Sequence, residues 1–233
     1  MVWDANNTSN NQWEMGDPGS GQCGTPSLVS GSFYMSVTAT PNNTTSTCAR
    51  NIALLLLPDR SDFVLLNFGQ QYIITFRYID GSRSGCSNTS LVCGMGYDQD
   101  ARSLIFQIRQ VSGGGCTALG MDNGGVIGNP QQWFITNCAN LTGNLLWRGN
   151  FVAGETDDWE IVIHVACDST GTIALYRNGV QQTLAEDGNG ANVLCGNRSW
   201  ISIGPYKWRW QDGGFSSLNF VQATFNNLKV TTP

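Results

Sequence analysis

Alternating apolar and polar positions run through most of the chain, and they predict strands. Phe33–Thr40 alternates and leads into a loop rich in Asn, Ser and Thr. Ile52–Leu57 is a continuous apolar run, as expected of a buried strand. Phe63–Phe68 and Tyr72–Asp80 read as the next strands, with a Gly-Gln turn between them. Leu104–Val111 ends at Gly113-Gly114-Gly115, and Trp133–Thr136, Trp159–Cys167, Thr172–Arg177, Trp200–Trp208 and Leu218–Val230 follow. Asp168-Ser169-Thr170-Gly171 and Asn178-Gly179 read as hairpin turns, the second of a type that tolerates positive φ. No stretch sustains a 3.6-residue period, so helices should be short and few. The expected fold is all-β, a jelly roll of two antiparallel sheets forming a sandwich with a concave cleft. Neither a linker nor an internal repeat interrupts residues 1–233, which predicts a single domain.

Composition narrows the partners. The 233 residues carry 12% charged side chains, 28 Gly and a formal net charge of −5. Nucleic-acid binding needs Lys and Arg to neutralise phosphates, so it is not expected. An acidic substrate would have to be met by a local basic cleft. The longest apolar run is too short to cross a membrane. Eight Cys, at 23, 48, 86, 93, 116, 138, 167 and 195, include no C-x-x-C pair, and the single His cannot complete a zinc set. Four disulfides are expected, with Cys86–Cys93 as the local pair. N-x-S/T sequons start at Asn6, Asn7, Asn42, Asn43, Asn88, Asn140 and Asn197. Together with the even Cys count they point to secretion. Met1 followed by polar sequence reads as a mature or expression start, with any signal peptide already removed.

Five segments could carry chemistry. On a strand, Gln107 and Arg109 share one face and Phe106 and Ile108 the other. That pair is either part of a solvated sheet face or a binding face whose guanidinium fork meets a carboxylate. Trp200 to Trp210 concentrates three Trp and one Tyr, with Tyr206, Trp208 and Trp210 on one face and Lys207 and Arg209 supplying charge. Aromatic platforms of this kind stack on sugar rings; a core strand with a cationic edge is the plainer reading. Arg60-Ser61-Asp62 alone is worth no more than a structural ion pair. Glu155, Asp157 and Glu160 have the E-x-D-x-x-E spacing of some retaining glycoside hydrolases. Strict alternation, however, puts Glu160 on the other face, so a bulge would be required. His164 lies among apolar neighbours and reads first as structural, with a catalytic role as the alternative.

Taken in order, these segments resemble the jelly-roll polysaccharide lyases, the group holding alginate lyases, heparin lyase I and fungal glucuronan lyases. Arg60-Ser61-Asp62 resembles the group's R-x-E strand, Gln107-Ile108-Arg109 its Q-I-H strand, and Trp200 through Tyr206 its Y-F-K-x-G-x-Y strand, with Gly204 and Tyr206 matching. Asp158-Trp159 through His164, followed by Ala174 to Gly179, is similar to a stretch of the heparin-lyase-like members. Length, Cys richness and the Gly-Pro-Tyr-Lys-Trp run are closest to the fungal glucuronan lyases. The departures are Arg109 for the His of Q-I-H, Ser202 for the Lys of Y-F-K, and Asp62 for Glu.

The resemblance implies β-elimination of a 4-linked uronate, β-1,4-glucuronan above others, by a secreted monomer. Tyr206 would be base and acid, and Gln107 and Arg109 would neutralise the C6 carboxylate. Arg60, Lys207, Trp208, Trp210 and His164 would bind the acidic polysaccharide. It implies no organic cofactor. It admits a structural Ca²⁺, for which no Asp cluster marks ligands. A hydrolase using Glu155, Asp157 and Glu160, or a non-catalytic lectin-like module, are the alternatives.

Overall fold

A computed structural model describes residues 3–4, 13–15, 27–29, 32–38, 53–55, 62, 64–80, 93–94, 102–110, 116–122, 132–138, 145–152, 154–166, 170–185, 199–208 and 220–233. Among them the chain forms strands and no helix. In order these are β1 Trp3–Asp4, β2 Trp13–Met15, β3 Ser27–Val29, β4 Ser32–Thr38, β5 Ala53–Leu55, β6 Gln71–Asp80, β7 Cys93–Gly94 and β8 Arg102–Gln110. They continue with β9 Cys116–Asp122, β10 Gln132–Cys138, β11 Leu145–Asn150, β12 Thr156–His164, β13 Thr172–Arg177, β14 Val180–Gln181, β15 Ser199–Trp208 and β16 Phe220–Thr231.

The strands make two sheets. The first runs β14-β13-β12-β6-β16-β4-β3, with β1 and β7 also against β16. The second runs β11-β10-β9-β8-β15-β5-β2. Pairing is antiparallel except for the two-residue contact of β7 with β16. This is the expected two-sheet jelly roll.

Alternation decides which residues fill the space between the sheets. In β6, Tyr72, Ile74, Phe76 and Tyr78 point inward and the residues between them outward. Phe106, Ile108, Ile201, Ile203 and Trp133 meet them from the second sheet. Phe76 stacks on Phe106 at 5.8 Å, and the Trp133 ring lies edge-on to Tyr78 at 5.2 Å and to Trp159 at 5.0 Å. Fully burying such side chains contributes about 1.5–3 kcal/mol each, so this aromatic layer holds the sheets face to face.

Two expected strands differ. β12 starts at Thr156 rather than Trp159, because the acidic run is itself strand: Asp157 faces the core and is 1% exposed. Phe63–Phe68 does not form a full strand. Val64 and Leu66 are buried, but the Tyr72 hydroxyl accepts from Asn67 N at 2.9 Å and donates to Leu65 O at 3.4 Å. The segment is thereby folded onto its own turn, where Gly69 takes φ +76°. The Asn178-Gly179 turn is as expected, with φ of 52° and 76°.

Candidate functional site

The outward face of the second sheet holds Gln107 and Arg109. Phe106, Ile108 and Gln110 point inward, so alternation sends Gln107 and Arg109 out. Two bulges shape this face. In β15 the register slips between Ile203 and Tyr206, at Gly204-Pro205, where Gly204 takes φ +129°. Proline has no N–H for the ladder, so the extra residue falls there. In β8 a second slip lies between Leu104 and Phe106. Ile105 and Phe106 both enter the core, and Leu104 is turned out to pack with Ala118 and Phe134.

Cross-strand register then lines up three rows. Trp200 lies beside Arg109 and Cys116; Ser202 beside Gln107, Ala118 and Thr136; and the Tyr206 backbone beside Leu104, Gly120, Phe134 and Arg148. Ser202, Ala118 and Gly120 on these rows are buried, Ala118 beneath Leu104 and Phe134. The described side chains on these rows include two arginines and no carboxylate. Gln107 is half-buried, and its Nε2 is buried without a hydrogen-bond partner. A buried donor left unmade costs about 1–3 kcal/mol. Arg109 beside it is exposed, and Ser202 Oγ donates to Gln107 O at 3.4 Å. In register, Tyr206 is three positions along β8 from Gln107 and five from Arg109, or roughly 10 and 17 Å at strand rise. The side chains of Tyr206, Lys207 and Trp208 lie outside what the structure describes, as do Arg60 and Trp210 altogether.

His164 does not join this face. It ends β12 between Gln71 and Thr172, half-buried on the outward side of the first sheet. Gln107 and Arg109 lie on the second sheet, so His164 and that pair sit on different sheets.

The acidic run does not form a hydrolase pair either. β12 pairs with β6 and β13 without a bulge, so Asp157 points inward and Glu160 outward. Arg177 clamps Asp157 with Nε–Oδ1 at 2.7 Å and Nη2–Oδ2 at 3.0 Å, and Asn178 Nδ2 donates to the same carboxylate at 2.9 Å. Arg177 also reaches Glu155 at 2.8 Å and donates to Asn150 O at 2.6 Å. Glu155 in turn accepts from Trp133 Nε1 of the other sheet at 2.7 Å. Burial raises the Glu155 carboxyl above its ordinary range, partly offset by the Trp133 bond. Asp80 accepts from Tyr78 Oη at 3.0 Å and Gly154 N at 2.9 Å. Burial, and then the Asp80 charge, push the Tyr78 hydroxyl well up. Glu155, Asp157 and Asp80 are thus each held by structural hydrogen bonds or ion pairs. The sequence carried no sign of this hub: Arg177 lies 20 residues beyond Asp157, and only the β12–β13 hairpin unites them.

Cys116 is disulfide-bonded, with Cys138 its cross-strand neighbour, and no described cysteine is free. Cys86 lies outside the described residues. Among the described residues no group of three or more His, Cys, Asp or Glu could hold a metal ion.

No protein-family model matches the chain, and no curated protein matches it by sequence. Solved structures do match in fold. An endo-β-1,4-glucuronan lyase from the fungus Trichoderma reesei superposes with a TM-score of 0.55 at 16% identity, covering 87% of this chain and 81% of that one. An alginate lyase gives 0.57 at 10%, covering 99% and 95%. A β-1,3-1,4-glucanase (lichenase) derived from a mouse hindgut metagenome gives 0.55 at 12%, covering 100% and 97%. The chain thus has the β-sandwich fold shared by glucuronan and alginate lyases and by a glycan hydrolase.

Proposed function

We propose that the protein is a secreted polysaccharide lyase that cleaves a 4-linked polyuronate, β-1,4-glucuronan above others, by β-elimination. One observation carries the reading. Gln107 presents a buried, unpartnered amide donor next to the exposed guanidinium of Arg109. A uronate C6 carboxylate would satisfy that donor. The fork of Arg109 then adds a charge-assisted pair. Charge that develops on the carboxylate as the C5 proton leaves is stabilised by those donors, at about 10²–10³ in rate for each.

Tyr206 is the proposed base and acid. In a gluco- or manno-configured uronate, H5 and O4 lie on the same side of the ring. The Tyr206 phenolate can then take the C5 proton, the C5–H electrons form the C4=C5 double bond as O4 departs, and the resulting hydroxyl returns that proton to O4. Arg109 in place of a histidine is compatible with this, because no second base is needed. Arg60, Lys207, Trp208 and Trp210 are proposed as substrate-binding residues, with the protein acting as a monomer outside the cell. The clamped Asp157 and the outward Glu160 argue against hydrolysis by the acidic run.

Ultraviolet absorbance of products from glucuronan, alginate and heparin tests the class. Elimination leaves a conjugated unsaturated uronate, hydrolysis a reducing end without that chromophore, and a lectin-like module no product. For the mechanism, Tyr206→Phe should cut turnover at least about 10²-fold with an unchanged melting curve. His164→Ala, on the far sheet, should keep turnover in its folded fraction. An active Tyr206→Phe enzyme would overturn the role of Tyr206 even if the product class were right.

A further inference from the structure

The outward face of the first sheet carries a second groove, of about 650 Å³, unrelated to the face of Gln107. Four strands build it. Lys229 of β16, Thr75 of β6, Glu160 of β12 and Tyr176 of β13 form one cross-strand row. A bulge between Asn226 and Lys229, with Asn227 at φ +54°, brings Lys229 into that row. The next row holds Arg77 and Asp158, joined by Nε–Oδ1 at 2.7 Å and Nη2–Oδ2 at 2.8 Å.

The Glu160 carboxylate is half-buried, yet neither it nor the Tyr176 hydroxyl bonds to any described residue. The neighbouring Asn226 Oδ1 is buried without a partner. Two open hydrogen-bonding groups, the Glu160 carboxylate and the Tyr176 hydroxyl, thus line the groove beside the paired Arg77 and Asp158.

The groups select the ligand. Two cations, Arg77 and Lys229, face two carboxylates, Asp158 and Glu160, and Lys229 is further neutralised by Asp4 at 3.0 Å. A polyanion gains nothing here, and a lone cation would meet Arg77 and Lys229. What fits is a neutral, hydroxyl-rich chain. The Glu160 carboxylate accepts from vicinal hydroxyls, the Arg77–Asp158 pair offers a fixed donor and acceptor, and the Tyr176 ring supplies an apolar face. Four strands span roughly 14 Å at the usual spacing, room for an oligosaccharide.

We infer that this groove is a non-catalytic binding site for a neutral glycan. It lies on the opposite side of the sandwich from Gln107, so both faces can be occupied at once. A site of this kind raises the local concentration of the protein at a mixed polysaccharide surface without competing for the acidic chain.

Affinity electrophoresis of the whole protein through gels containing mixed-linkage β-glucan, xylan or glucomannan tests the inference. At least one of the three should retard it. Glu160→Gln and Tyr176→Ala should each weaken that retardation about tenfold, as expected when a hydrogen bond to a charged group or a ring contact is lost. Tyr176→Phe, which keeps the ring, should retain most of it, and Gln107→Ala all of it. Melting curves confirm that each variant is folded; Glu160→Gln replaces a side chain turned away from the core and keeps its shape. The inference is overturned if none of the three glycans retards the protein, if retardation survives Glu160→Gln and Tyr176→Ala, or if Gln107→Ala abolishes it. None of these readouts depends on lyase activity.

Discussion

The two outward faces are built from the same kind of strand, yet they sort charge in opposite ways. On the second sheet the rows around Gln107 leave a buried amide unpartnered beside Arg109, with no described carboxylate to answer it. On the first sheet every described cation of the groove has a carboxylate close by: Arg77 has Asp158, and Lys229 has Asp4. One face is therefore suited to an anion and the other to a neutral ligand. A net charge of −5 says nothing of this division. Long-range steering depends on the whole charge, but recognition depends on which donors are left open at one place.

The sharpest way to break the contrast is on the anion-binding side. Gln107→Ala or Arg109→Ala should lower turnover on polyglucuronate about 10²–10³-fold and leave neutral-glycan retardation unchanged. Equal loss of both would show that the faces are not independent. Next in size is Arg177→Met, between the faces. It strands Glu155 and Asp157 without their cation, and breaking a buried pair costs about 3–5 kcal/mol. The melting temperature should fall by many degrees, while activity per folded molecule should stay near that of the parent. A selective loss of activity in a stable Arg177→Met protein would return the acidic run to candidacy as catalytic.

The smallest effect is the pH dependence of the Arg77–Asp158 pair. The hydrogen bonds from Arg77, its first cause, hold the Asp158 carboxyl below the usual range. A depressed folded pKa gives stability that is present above the unfolded value, ~3.9, and lost as pH falls through the folded one. Asp158→Asn should therefore lower stability slightly at neutral pH and remove the matching acid-side slope, so that the two proteins converge at low pH. Both partners are about half exposed, so salt should erase even that. A large stability loss at neutral pH would show that the pair anchors the groove more firmly than its exposure allows.

Alternation alone placed β6 and the split between Gln107/Arg109 and Phe106/Ile108, because a strand with one apolar side can face the core in only one register. The Asn178-Gly179 turn was legible for a similar reason, since few residue pairs accept two positive φ angles. β9 was not legible. Cys116 to Met121 is buried on both sides, with Ala118 covered by Leu104 and Phe134, so no alternation survives in its sequence. β11 was hidden by its bulge opposite Ile135 and Thr136. The acidic run and His164 looked like candidate chemistry because spacing along a chain records neither the partner nor the side of the sandwich. Local pattern thus determined the all-β fold and the faces of single strands. Tertiary structure alone decided that Arg177 would close over Glu155 and Asp157, that His164 would face away from Gln107, and that Lys229, Thr75, Glu160 and Tyr176 would share one row. Those contacts join positions as far apart as residues 75 and 229, and only the pairing of β6 with β12 and β16 brings them within reach.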